Sequence, residues 1–146
     1  MPADLEIFLI RHKIIGLDTM LFIYQFEKYK NFWQKTKIVF SLLEAGKFKA
    51  VTSVIGVIEN LTKPKAEKNY LLVKEYQELL TNFPNLTIAS VDFKIADLSS
   101  SLRAKYNLTT PDAILVATAL NCGSTGFITA DVKLKKIKEI EVFILE

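Results

Sequence analysis

Four carboxylates stand out by type and by setting. Asp18 follows the apolar run IIGL, Glu59 follows VIGVI, Asp112 opens the apolar stretch AILVATAL, and Asp131 follows GFITA. Carboxylates gathered at one place repel one another and raise each other's pKa unless a cation compensates. Oxygen ligands without histidine or cysteine suit a hard ion such as Mg²⁺ or Mn²⁺. An ion of that kind activates a water and stabilises charge developing on a phosphodiester. Each acid also has a purely structural reading. Asp112 and Asp131 could be first-turn helix acids favoured by the macrodipole, and Asp18 could cap the helix after it. A lone glutamate such as Glu59 is most simply a solvated helix residue, although the preceding VIGVI makes its helix look largely buried.

The elements that must position these acids follow from periodicity and punctuation. Residues 3–12 have helical spacing of Leu5, Phe8 and Leu9, so that 1–13 form a helix ahead of the first strand. IIGLD (14–18), KAVTS (49–53), LTIAS (86–90), GFIT (126–129) and EVFIL (141–145) read as strands. Helices are expected over 19–27, 32–48, 53–63 with Pro64 as the stop, 66–82, 93–105 and 110–122, with a short one over 131–137. In the last long helix Thr110 would be the N-cap, Pro111 the first helical residue and Asp112 part of the first turn. Strands alternating with helices argue for an α/β protein with a largely parallel sheet covered on both faces. In such sheets ligands gather beyond the carboxyl ends of the strands, which would bring all four acids towards one edge.

Composition narrows the function classes. A chain of 146 residues with only 5 Gly and 4 Pro is expected to form one compact domain, 1–146, rather than a disordered or fibrous protein. The net charge of +3 permits a polyanionic partner without demanding one. Cys122 is the only cysteine and His12 the only histidine, which excludes an intrachain disulfide, a thiolate zinc cage and a multi-histidine centre. No apolar run has the length of a membrane span and MPADLEIFLIRHK lacks a cleavage pattern, so the expected location is cytoplasmic, with no membrane contact.

Four segments, IGLDTMLFIYQFE (15–27), VTSVIGVIENLTKP (51–64), LRAKYNLTTPDAILVATAL (102–120) and GFITADVKLKKI (126–137), together resemble the PIN domain, in the family's order and spacing. The resemblance covers nearly the whole chain. It matches Asp18, Glu59, Asp112 and Asp131 to the family's four acids, and Thr129 to the hydroxyl residue two positions before the last. Ala130 stands where many members have Asn. The resemblance implies a three-layer α/β/α fold with a five-stranded parallel sheet, one or two Mg²⁺ or Mn²⁺ ions held by the acids, and hydrolysis of RNA. Compact members are commonly VapC-type toxins held inactive by a small antitoxin.

On this reading Asp18, Asp112 and Asp131 ligate metal, Glu59 completes the shell or positions water, and the Thr129 and Ser53 hydroxyls orient carboxylates. Arg103, Lys63 and Lys133 are candidate phosphate contacts, although Lys133 to Lys138 also read as the solvated face of a short helix. Tyr24, Phe26, Tyr29 and Trp33 are expected in the core or against a partner, His12 in a structural role, and Cys122 as a small buried hydrophobe. An aspartate-nucleophile phosphatase would want a second aspartate where Met20 stands, and SVD (90–92) is a poor phospho-receiver site. The alternative of a different class is a PIN-fold binding module with masked or absent nuclease activity. The apolar early helices predict a surface covered by a homodimer partner, an antitoxin or both.

Overall fold

The structure, a computed structural model, describes residues 2–146. The chain runs α1 (Pro2–Arg11), β1 (Ile14–Leu17), α2 (Met20–Phe26), α3 (Trp33–Glu44), β2 (Lys49–Ser53), α4 (Ile55–Ala66) and α5 (Tyr70–Asn82). It continues through β3 (Leu86–Ala89), α6 (Phe93–Tyr106), α7 (Thr110–Asn121), β4 (Gly126–Thr129), a 3-10 turn (Val132–Lys136) and β5 (Glu141–Ile144). All five strands are parallel, in the order β3-β2-β1-β4-β5. The short strands are apolar almost throughout because both faces are covered.

Two cores result. On one face Ile15, Leu17, Ala50 and Ile128 meet Leu5, Phe8 and Leu9 of α1, Leu21 and Phe22 of α2, Phe40 of α3 and Tyr76 of α5. On the other, Val51, Phe127 and Val142 meet Ile95 and Leu102 of α6, Val116 of α7 and Leu134 of the 3-10 turn. Neighbours along a strand take opposite sides, Phe127 one way and Ile128 the other, as a two-residue repeat requires. This is the three-layer arrangement expected from the alternating pattern.

Several local boundaries differ from the sequence reading; the helix expected over 32–48, for one, runs only over Trp33–Glu44. Pro64 does not stop α4, which continues to Ala66 with Pro64 buried in its last turn. Only one intrahelical bond is lost to the ring there, close to an end that would fray in any case. Residues 66–69 are not part of α5: Lys68 adopts left-handed backbone (φ 57°), and the Asn69 side chain accepts the Leu72 amide as N-cap. The N-cap of α7 is Thr109 rather than Thr110, its hydroxyl accepting the Asp112 amide at 3.3 Å. The short helix expected at 131–137 is a 3-10 turn capped by Asp131, whose carboxylate accepts the Lys133 amide. Cys122 is half-buried rather than fully buried.

Candidate active site

Successive strands are laid down to one side of β1 and then, from β4 onward, to the other, so a crevice opens between the carboxyl ends of β1 and β4. Asp18 is the first residue beyond β1, and its amide still donates to the Ile128 carbonyl of β4 at 3.0 Å. Its side chain is only 6 % exposed. One carboxylate oxygen accepts the Thr19 amide at 2.7 Å and the other accepts the Thr129 hydroxyl at 2.5 Å. Thr129, the last residue of β4, thus ties Asp18 across the crevice. The same hydroxyl oxygen accepts the Asp131 amide at 3.0 Å, so one threonine positions two acids.

The electrostatics record how close the acids lie. Burial is the largest influence on Asp18 and pushes its pKa from the ordinary 3.8 up to about 6. The Thr129 hydroxyl opposes that rise, the negative charge of Asp112 adds to it, the Thr19 amide opposes it, and Glu59 adds again. Asp112 is also raised, first by burial and then by Asp131, with hydrogen bonding to Thr109 and the charge of Lys133 pulling the other way. Among the described residues none of the four acids is in an ion pair with Lys or Arg. Each of the four acids is linked by charge to at least one other, Asp18 to Asp112 and Glu59, and Asp112 to Asp131.

They do not form a finished cage. Among the described residues, no group of three or more His, Cys, Asp or Glu side chains stands together closely enough to hold an ion. Glu59 is exposed rather than buried, because α4 turns Gly56, Asn60, Leu61 and Pro64 inward and leaves Ile58 and Glu59 on its outer side. Glu59 is held nonetheless: the Thr19 hydroxyl donates to its carboxylate at 2.9 Å. Gly56, one turn earlier, permits this approach, since a Cβ there would lie 3.2 Å from the Thr19 oxygen. Thr19 and Thr109 were both missed from sequence. Their signal was adjacency: each lies within three positions of an acid, at a helix start.

The other candidates are placed as follows. Ser53 is buried at the end of β2, and its hydroxyl oxygen accepts the Ile55 amide at the start of α4 at 3.2 Å. That bond starts a helix, and no bond from Ser53 to a carboxylate is present among the described residues. Lys133 is close enough for its charge to favour ionised Asp112. Arg103 donates through Nε to the Leu108 carbonyl at 3.0 Å, on the connection that leads into Asp112. Lys63 is exposed on α4, one turn beyond Glu59. His12 is buried, its ring nitrogens contacting Thr125 and Glu141 at 2.7 Å each, away from the crevice.

The Thr129 hydroxyl gives a direct test. Thr129→Val removes a bond that lowers the Asp18 pKa, so the acid limb of the pH–rate profile should move to higher pH. A loss of about 10–100-fold in activity is expected from a residue that orients a carboxylate. An unmoved acid limb would show that Thr129 does not tune Asp18.

The donor set suits a hard divalent cation. Every candidate ligand is a carboxylate oxygen, the most buried one carries a raised pKa, and among the described residues none of the four is in an ion pair. Mg²⁺ commonly takes only one or two carboxylates directly and keeps several waters. A site short of three preassembled carboxylates is therefore compatible with it.

No curated protein matches the chain in sequence. Solved structures do. A chain of a toxin-antitoxin complex from Klebsiella pneumoniae is 25% identical with a TM-score of 0.69, over 91% of this chain and 98% of that one. A chain of VapBC2 from Rickettsia felis, bound to a promoter DNA fragment, is 17% identical with a TM-score of 0.72, over 91% and 99%. A chain of DNA-bound VapBC from Salmonella typhimurium is 17% identical with a TM-score of 0.63, over 91% and 98%. The sequence model of the PIN domain matches residues 15–140, from β1 to the residue before β5, and on that match this chain belongs to the PIN domain family.

Proposed function

We propose that the chain is a metal-dependent endoribonuclease that hydrolyses RNA phosphodiester bonds, acting as the toxin of a toxin–antitoxin pair. PIN domains are generally nucleases, and those nucleases generally use divalent metal ions. The observation that carries the reading is Asp18: buried at the β1/β4 crevice, fixed by two hydrogen bonds, and subject to the charges of Asp112 and Glu59, with no ion-pair partner among the described residues.

Asp18, Asp112 and Asp131 would hold one or two Mg²⁺ or Mn²⁺ ions, directly or through water, and Glu59 would complete the set or orient the attacking water. Bound there, the ion supplies an activated water and neutralises the charge that develops on the phosphodiester. The chain's own part is preorganisation. Thr129 and the Thr19 amide fix both Asp18 oxygens, Thr109 starts the helix that aims Asp112, and Asp131 is held between the Thr129 hydroxyl and the Lys133 amide. Ser53 supports the start of the helix that carries Glu59. Lys133, whose charge acts on Asp112, would take a phosphate of the strand, and Lys63 on α4 and Arg103 on α6 would take others.

Chelation is the first test. Cleavage should disappear when divalent ions are removed and return with Mg²⁺ or Mn²⁺. Cleavage that persists in excess chelator would overturn the metal assignment. Growth supplies the second test: expression of the chain alone should arrest a bacterial host and leave new RNA ends, and Asp112→Asn should do neither. Equal growth and no new ends in both would favour a binding module.

An antitoxin is the partner proposed, in keeping with the Klebsiella pneumoniae complex. Exposed apolar side chains such as Ile58, Tyr70 and Leu71 also leave area for a second copy of the chain. A monomer by size exclusion would count against the homodimer. No helix among the described residues is long and apolar enough to cross a membrane, and we place the protein in the cytoplasm on the strength of the proposed substrate and partner.

A further inference from the structure

Away from the four acids, the connection between α2 and α3 and the first turns of α3 concentrate positive charge. Lys28, Lys30, Lys35 and Lys37 fall within ten residues, and none is in an ion pair among the described residues. The neighbouring acid, Glu27, accepts the Tyr76 hydroxyl at 2.6 Å and is thereby engaged with α5. Left-handed backbone at Lys28 (φ 49°) and Asn31 (φ 77°) folds the connection back over the start of α3. The result is an open cleft of about 480 Å³ lined by Lys30, Asn31, Trp33, Gln34, Lys35 and Ile38.

Trp33 belongs to neither core cluster. It is half-buried beside the cleft, with the ammonium groups of Lys28 and Lys37 each 5.9 Å from its ring centroid. Tyr29, also outside both clusters, is 41 % exposed. The sequence reading put these aromatics in the core or against a partner; folding leaves both at the surface, amid lysines.

An aromatic row connects this cleft to the carboxylates. The Tyr24 hydroxyl is near enough to Asp18 for that charge to raise its pKa, second only to burial. The Tyr24 ring stacks on Phe32 at 4.5 Å and lies 5.4 Å from Tyr29. Phe32 immediately precedes Trp33. Lys35 also borders a depression lined by Asp4 and Leu5 of α1 and by Phe143, Ile144, Leu145 and Glu146 at the end of β5, so the cleft lies towards the carboxyl edge of the sheet, where the acids are.

We propose that the Trp33 cleft is a second subsite for the RNA strand and holds one unpaired nucleotide away from the scissile bond. Trp33 provides the face on which the base stacks, displacing one of its two lysine ammonium groups towards the backbone phosphates. Lys30 and Lys35 neutralise those phosphates, and the Asn31 and Gln34 amides can meet the base edge. Interleaved aromatics and cations of this kind recur in sequence-tolerant single-strand binding. An acidic peptide would satisfy the lysines but leave the ring and both amides unmatched. The proposal rests on the nuclease reading, and its test is arranged to fail separately.

Trp33 is the only tryptophan of the chain, so its fluorescence reports on the cleft alone. The full-length Asp18→Asn chain is titrated with single-stranded oligouridylate and oligoadenylate decamers, and the unsubstituted chain in chelator serves as a second uncleaving form. Saturable quenching is expected, with affinity about tenfold weaker in Lys30→Gln/Lys35→Gln. The salt dependence should also flatten by about 1.4 in log–log slope, the share of two lost phosphate contacts on a single strand. Oligonucleotide binding seen by anisotropy without a change in Trp33 emission would overturn the proposal. So would no binding, or quenching by a glutamate-rich peptide but not by RNA.

A kinetic arm separates the cleft from the acids. Trp33→Leu should raise KM for the decamer about tenfold and leave hydrolysis of bis(p-nitrophenyl) phosphate unchanged, because that small diester cannot span both places. Equal KM values for the decamer would overturn the subsite. If the unsubstituted chain hydrolyses neither substrate, the nuclease reading fails and the fluorescence titration still decides whether the cleft takes RNA.

Discussion

Asp18→Asn is expected to reduce RNA cleavage by about 10³-fold or more and, at the same time, to raise the melting temperature of the metal-free protein. The first effect follows from the loss of an anionic ligand, since metal assistance is worth several kcal/mol and each 1.4 kcal/mol is about tenfold in rate. The second follows from the pKa. Asp18 is driven from 3.8 to about 6 in the folded chain, chiefly by burial. The folded state thus holds its proton more tightly than the unfolded state, and the resulting stability is fully present below pH 3.8. It is lost as pH rises through 6, an unfavourable change of about 3 kcal/mol at neutral pH. Asparagine never ionises and escapes that loss. It can accept only one of the two hydrogen bonds now made by the carboxylate, which gives back about 1 kcal/mol.

The net gain at pH 7.5 should be about 1–2 kcal/mol, or roughly 3–6 °C for a chain of this size. It should shrink to nothing by pH 4. Mg²⁺ should raise the melting temperature of the unsubstituted chain and have a much smaller effect on the variant, because only the former gains a bound ion on folding. Thermal melts at the two pH values, with and without Mg²⁺, give the answer. A folded Asp18→Asn chain with full activity sinks the catalytic assignment; a variant that melts lower than its parent at pH 7.5 sinks the account of its burial.

Gly16→Ala carries the largest expected loss of stability among small substitutions. Gly16 sits in β1, paired on its two sides with Val51 of β2 and Phe127 of β4. A Cβ there would lie 2.6 Å from the Ala119 Cβ of α7 and 2.7 Å from the Phe127 ring. Both neighbours are fully buried, at 1% and 0% exposure, so neither has solvent to retreat into. The methyl must lift α7 from the sheet. Overpacking of this kind costs about 1–3 kcal/mol, which corresponds to roughly 3–9 °C in melting temperature. Because α7 carries Asp112 in its first turn, the displacement should also reach the acids and lower cleavage about tenfold, as an ångström of misplacement commonly does. A melting temperature within about 1 °C of the parent, roughly the measurement error, would show that α7 yields without strain.

The two substitutions mark how differently the parts of the molecule are encoded. The strands were legible because they are short, apolar and punctuated. KAVTS and GFIT were bounded correctly, and the other three strands to within one residue. Local chemistry misled in places where two neighbours could do the same work. Thr109 and Thr110 are both capping residues, and the backbone at Thr109, extended at φ -67° and ψ 159°, leaves the helix to begin at Thr110. Pro64 reads as a breaker, yet it is tolerated in a buried last turn. The burial of Glu59 was misjudged because VIGVI is apolar all round, and an apolar run does not say which face a helix turns inward.

What the sequence by itself determined is the inventory and the order: five strands, the helices between them, three acids at strand ends or helix starts, and a fourth, Glu59, within two helical turns of one. These depend on residues close together in the chain, where periodicity, capping and turn chemistry act. Only the tertiary structure decided that Thr129 would reach across the crevice to Asp18, that Thr19 would take Glu59, and that burial would raise one aspartate above the others. It also decided that Trp33 would join neither core cluster and stay half-buried. The contacts of Thr129 with Asp18 and of Thr19 with Glu59 bring together residues far apart in sequence, and both depend on the order of strands in the sheet. That order follows from packing the two cores as wholes, which no local stretch of residues specifies.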